Sequence, residues 1–132
     1  MSLDKIKVIE LKVIKNSKGD LLKYLDKKSK YFKKFGETYF TEIKKGNIKG
    51  WNYHKKLYSS IAVPYGSVKF TFAENIDKKK KIIIIGKKNY SLIIAPPGLW
   101  FKFESLTKLS LIINTLNDIH KSSETLKTPI KN

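Results

Sequence analysis

Val68-Lys69-Phe70-Thr71-Phe72 sets apolar side chains at every second position, with a lysine and a threonine between them. Successive side chains of a strand point to opposite faces, so this period of two buries Val68, Phe70 and Phe72 together and turns Lys69 and Thr71 the other way. Just upstream, Ile61, Val63 and Tyr65 alternate in the same manner, and Gly66-Ser67 breaks the run. Downstream, Ile82 to Ile85 and Tyr90 to Ile94 flank Gly86-Lys87-Lys88-Asn89, which predicts a hairpin of largely buried strands. Leu109, Leu111 and Ile113 predict a further alternating strand. Many short strands at roughly ten-residue spacing, with turn residues between them, argue for a sandwich or barrel.

Two stretches read differently. From Asp20 to Lys34, Leu21, Leu22 and Leu25 among lysines suit an amphipathic helix, while Lys27-Lys28-Ser29-Lys30 suits a loop. The polar tail from Lys121 to Asn132, with Thr128-Pro129 near its end, is expected to be extended or frayed. The chain has 132 residues, 41% of them hydrophobic and 12% aromatic, enough for the core of one domain spanning residues 1–132. Lys and Arg number 28 against 11 Asp and Glu, a net charge of +17 that favours anionic partners without choosing among them. The absence of cysteine excludes disulfides, thiol catalysis and thiolate metal sites. Met1 to Asn16 alternates lysine with Ile, Val and Leu, unlike a signal peptide, and no run approaches the ~20 apolar residues that cross a bilayer. A cytoplasmic protein is the expectation.

Three segments, in order, resemble the cofactor-free cupins that act on nucleotide-linked 4-keto-6-deoxy sugars, the RmlC-like 3,5-epimerases and 3,4-ketoisomerases. Gly36-Glu37-Thr38-Tyr39-Phe40, followed by Ile48-Lys49-Gly50-Trp51-Asn52-Tyr53-His54-Lys55-Lys56, looks like the strand the family writes RGWHxHKK. Ile94-Ala95-Pro96-Pro97-Gly98-Leu99-Trp100-Phe101 is similar to its VPPGxWH turn and strand. Asn114, Asp118, His120 and Glu124 echo the N…HDPxE ending of epimerase-like members, and Asn16 to Leu21 the DxRGxL segment. The resemblance implies an all-β jelly roll of the cupin type, paired as a homodimer, with a nucleotide-diphosphate sugar such as a dTDP-sugar as ligand and no cofactor. Length and the His-Lys-Lys sequence lean to a ketoisomerase, and Asn114 to Glu124 leans to the epimerases. The acidic catalytic partner that longer epimerases carry in a C-terminal extension has no counterpart in the sequence reading.

Both reactions start by removing a proton next to a ketone, which needs a base near the carbon and a donor or cation near the developing enolate oxygen. Alternation along the strand places Asn52, His54 and Lys56 on one face. The resemblance then implies His54 as the base and Tyr39 as proton donor or sugar-orienting hydroxyl. Lys49, Asn52, Lys56, Trp100 and Phe101 become substrate contacts, Lys49 standing where the family has an arginine. Two family histidines are absent, replaced by Asn52 and Phe101, and an amide takes up no proton at neutral pH. With His54 and His120 as the only histidines, a metal site is not expected. Three readings stand side by side: an isomerase, a cupin that binds a nucleotide sugar without turning it over, and a basic nucleic-acid-binding β-domain.

Overall fold

The structure is a computed structural model describing residues 2–29 and 34–130. Its regular elements are strands: β1 (Lys7–Glu10), β2 (Val13–Ile14), β3 (Leu21–Leu22), β4 (Glu37–Lys44), β5 (Ile48–His54), β6 (Ser59–Tyr65), β7 (Ser67–Ala73), β8 (Lys80–Gly86), β9 (Ser91–Ala95), β10 (Trp100–Ser105), β11 (Leu109–Leu116) and β12 (Thr125–Lys127). Among the described residues, only short 3-10 turns, Ser2–Lys5 and Ser122–Glu124, accompany them. One five-stranded antiparallel sheet runs β1-β9-β6-β11-β4 and a second runs β12-β5-β10-β7-β8, with β2 and β3 as a separate ribbon. From β4 to β12 the chain changes sheet at almost every connection, and only β7 and β8 follow one another within a layer. No helix of the described residues is long and apolar enough to cross a membrane.

The core lies between the two layers, as sheet-on-sheet packing requires. Ile43, Ile61, Val63, Ile93 and Ile112 come from the first sheet, and Val68, Phe70, Phe72 and Ile85 from the second. The alternation read at Val68 to Phe72 therefore describes a strand whose even face meets the core, while on its odd face Lys69 is half-buried and Thr71 is buried as well.

Two sequence expectations need correction, and a third reading left open is decided. Gly86-Lys87-Lys88-Asn89 is not a hairpin turn, because β8 pairs with β7 in one sheet and β9 pairs with β1 and β6 in the other. Lys87 N–H bonds the Gly66 carbonyl and the chain then arches across the sandwich. A turn signature specifies that the chain bends and leaves open which sheet it enters next. β8 is also an edge strand with Ile82 and Ile84 exposed, while β9 is buried almost throughout. On β11 Ser110, Ile112 and Asn114 are buried, as are Thr115 and Leu116 at its end, with Leu109, Leu111 and Ile113 half-buried on the other face. Periodicity groups residues by face without saying which face meets the core. Finally, the Asp20–Lys34 region contains β3 and no helix in its described part; residues 30–33 lie outside it. The Leu21–Leu22 pair is held instead by a turn in which Asp20 accepts from the Asn16 N–H and the Lys15 ammonium.

Candidate active site

β5 contains the irregularity that shapes the site. Phe101 pairs with Asn52 and Phe103 with Lys49, but Lys102 pairs with Gly50, so β5 holds one residue more than β10 between these points. Such a bulge bends the strand and displaces side-chain phase. Gly50 takes φ +128°, and a Cβ there would lie 2.7 Å from both the Phe101 carbonyl oxygen and Lys102 Cβ, so a larger residue is excluded on conformation and space alike. The extra residue lets Lys49, Asn52 and His54 face one cavity of about 260 Å³ between the sheets. Strict alternation would have sent Lys49 to the opposite side from the other two. Trp51, buried, does not line the cavity and carries the Lys102 ammonium 4.9 Å from its ring centre.

His54 is the most elaborately held group in this cavity. Its Nδ1 lies 2.9 Å from Glu124 Oε1 and 3.3 Å from Thr125 Oγ1. Phe101 stacks on its ring at 5.6 Å, and His120 meets it edge-on at 5.9 Å. With Nδ1–H donated to the carboxylate, neutral His54 carries its lone pair on Nε2, the arrangement of a base. Glu124 is fixed in turn by the backbone N–H groups of Lys56 and Leu57 on its second oxygen. Burial pushes the Glu124 carboxyl up, but those N–H donors and His54 outweigh it, and the net shift is below the ordinary value of 4.5. A depressed carboxyl stabilises the fold above its ordinary pKa; that contribution, and the His54 partner with it, is lost as pH falls through the folded value.

The tail supplies this half of the site. β12 pairs with the outer edge of β5, matching Thr125 to His54 and Lys127 to Asn52, and Trp51 and Thr128 exchange two further backbone bonds of 3.1 Å. His120 is exposed but lines the cavity, with Nε2 2.7 Å from Thr125 Oγ1 and its backbone N–H on Glu37. On the opposite wall, Tyr39 and Asn114 are neighbours across β4 and β11 and also line the cavity. Burial raises the Tyr39 hydroxyl pKa, so the phenol keeps its proton at neutral pH. The arrangement therefore offers a carboxylate-backed imidazole, a protonated phenol and a lysine to one bound molecule. Among the described residues, no group of three or more His, Asp or Glu side chains is placed to hold a metal ion.

Neither a scan of protein-family models nor a search of curated proteins returns a match. Solved structures do match. A dTDP sugar isomerase from Desulfovibrio desulfuricans superposes with a TM-score of 0.89 at 27% identity, over 94% of this chain and 83% of that one. The chain has the fold of the RmlC-like cupins. The dTDP-6-deoxy-D-glucose-3,5-epimerase RmlC of Legionella pneumophila, solved with dTDP-4-keto-L-rhamnose, gives 0.82 at 16% identity over 96% of this chain and 74% of that one. The sugar 3,4-ketoisomerase QdtA of Thermoanaerobacterium thermosaccharolyticum, solved with TDP, gives 0.76 at 22% identity over 92% and 86%. At these identities the last two speak to the fold alone.

This cupin brings Tyr39, Lys49, Asn52, His54 and Phe101 to one cavity, and leaves Lys56 and Trp100 outside it. Lys56 falls beyond the end of β5, where alternation no longer governs; its backbone N–H serves Glu124. Trp100 faces the other way and packs on Tyr53 at 5.1 Å. Sequence reading named His120 and Glu124 in the family echo but gave them no place in the site. Glu124 pairs with His54, and His120, although exposed, is a second histidine on the cavity wall. The available signal was the pair His120 and Glu124, spaced four apart in a chain with two histidines in all.

Proposed function

We propose that this cupin is a cofactor-free isomerase that takes a proton from the carbon beside the ketone of a nucleotide-linked 4-keto-6-deoxyhexose, in the making of deoxysugars for surface polysaccharide. The observation that carries the reading is that His54, backed by Glu124, lines a cavity that Tyr39 and Lys49 also line. His54 acts as the base, Glu124 holds its tautomer and steadies the imidazolium that forms, and Tyr39 gives or shares its proton with the enolate oxygen. The likeness to a dTDP sugar isomerase supports a dTDP-sugar as the ligand. The direct test is incubation with dTDP-4-keto-6-deoxyglucose in deuterated water, read by NMR: deuterium enters the sugar beside the ketone. A protein that binds this compound and incorporates none is a binding cupin. The second reading draws on Asn52 and Phe101, which occupy cavity wall positions with groups that carry no exchangeable acid at neutral pH.

Lys49 lines the cavity with an exposed ammonium that bonds the Glu42 carbonyl at 3.1 Å. It is suited to a diphosphate as a point charge. Lys49→Ala is expected to weaken dTDP-sugar binding roughly tenfold, the worth of one charge-assisted hydrogen bond, while the exchange rate at saturation changes little. A lower exchange rate at unchanged affinity would remove Lys49 from the phosphate role.

The exposed edge strand β8, with Ile82 and Ile84 outward, and the exposed Val8 on edge strand β1 are surfaces that single chains rarely leave uncovered. They support the two-fold dimer. Light scattering is expected to give twice the 15.3 kDa chain mass; a strict monomer at micromolar concentration would contradict it.

A further inference from the structure

Asn114 on β11 stands directly opposite Tyr39 on β4, and its Nδ2 donates to the Tyr39 hydroxyl oxygen at 3.2 Å. That bond leaves each partner with hydrogen-bonding capacity unused. Asn114 is 8% exposed, yet its Oδ1 has no hydrogen-bond partner, alone among the buried side-chain atoms of the described residues. Tyr39, having accepted, still has its own O–H to give, and burial keeps that proton in place at neutral pH. Buried acceptors are nearly always paired, and one left bare costs about 1–3 kcal/mol. Buried hydroxyls make the contrast: Thr115 is bonded to Tyr24 and Thr38, and Ser105 and Ser110 are bonded to each other.

A free donor and a free acceptor, side by side on one cavity wall, are the complement of a ketone and a hydroxyl on adjacent carbons. We infer that Asn114 and Tyr39 read the hydroxy-ketone of the bound hexose, Tyr39 O–H donating to the ketone oxygen and Asn114 Oδ1 accepting from the neighbouring hydroxyl. Asn114 is thereby a specificity residue, and the substrate class narrows to 4-keto sugars that retain the hydroxyl at C3. The inference rests on the nucleotide-sugar reading. It adds a claim that reading does not contain, since proton abstraction beside a ketone needs no hydroxyl next to it.

The test is displacement of a fluorescent thymidine diphosphate by three compounds: dTDP-4-keto-6-deoxyglucose, its 3-deoxy counterpart, and dTDP itself. Wild type should bind the 3-deoxy sugar roughly tenfold or more weakly than the hydroxylated one, because removing the hydroxyl leaves the buried acceptor bare. Asn114→Leu should bind the two sugars within about twofold of each other and leave dTDP affinity unchanged, the two losses being one shared interaction. A wild-type preference that survives in Asn114→Leu overturns the inference. So does a wild type that does not distinguish the two sugars, a result that stands even if the variant fails to fold. If the wild type binds no thymidine diphosphate compound, the nucleotide-sugar reading itself falls and takes the inference with it; binding without discrimination sinks the inference alone.

Discussion

His54→Asn abolishes the incorporation of solvent deuterium beside the sugar ketone, by a factor on the order of 10³ or more, with dTDP-sugar affinity kept. General-base catalysis contributes about 10²–10⁴ in rate, and an amide at position 54 takes up no proton at neutral pH. The substitution is gentle on the fold. Asparagine is smaller than the 7% exposed histidine and retains an N–H able to reach Glu124, so the carboxylate is not stranded without a donor. Loss of rate with ground-state binding intact is the mark of a group acting in the transition state. Glu124→Gln gives a companion result: its amide can donate to His54 Nδ1, moving the imidazole proton to Nε2 and removing the lone pair from the reacting side. Exchange that continues undiminished in His54→Asn would leave the enzyme reading standing and place the base elsewhere, with His120 the nearest alternative at 5.9 Å between ring centres.

Phe70→Ala destabilises the protein by roughly 3–5 kcal/mol, the range for emptying a large aromatic site in a close-packed core. Phe70 is 1% exposed at the middle of β7, with β8 on one side and β10 on the other. Its ring lies 6.3 Å from Phe72 and 5.8 Å from Phe103, and it also floors the cavity. The loss is a large share of the 5–15 kcal/mol that holds an ordinary domain. A drop in the thermal midpoint on the order of 10–20 °C follows. Phe35→Ala, at a residue 62% exposed, is the control and should move stability by no more than about 0.5 kcal/mol. Equal shifts in the two variants would mean that Phe70 is not the core residue described above.

The contrast between these residues marks what sequence could and could not disclose. Val68, Phe70 and Phe72 were legible because side-chain alternation is a direct consequence of strand geometry, and nothing nonlocal is needed to see it. The Gly86 to Asn89 bend was legible as a bend and misread as a hairpin, since the choice of sheet depends on Gly66 meeting Lys87, a contact twenty-one positions away. Tyr39, Lys49, Asn52, His54 and Phe101 were reached through family resemblance, and the cavity contains all of them. Glu124 was named in the same resemblance but given no role, because it meets His54 across 70 residues and lies in a segment whose composition suggests only a loose tail. Asn114 is a further case. It fell on the face of β11 that the leucine and isoleucine pattern assigned to solvent, and only the register with Tyr39 shows it turned inward.

The bulge at Gly50 has an arithmetic consequence. Lys49 and His54 lie an odd number of positions apart, 49 to 54, and on a regular strand such a pair is segregated to opposite faces as surely as left and right hands. The fold has absorbed one surplus residue, so counting along the chain gives the wrong parity while counting along the partner strand gives the right one. The surplus residue is Trp51, which contributes nothing to the cavity lining, yet its peptide N–H and C=O are the pair that grips Thr128. An insertion invisible from inside the cavity thus fastens the segment that delivers Glu124, and the spare link in one strand is the latch of another.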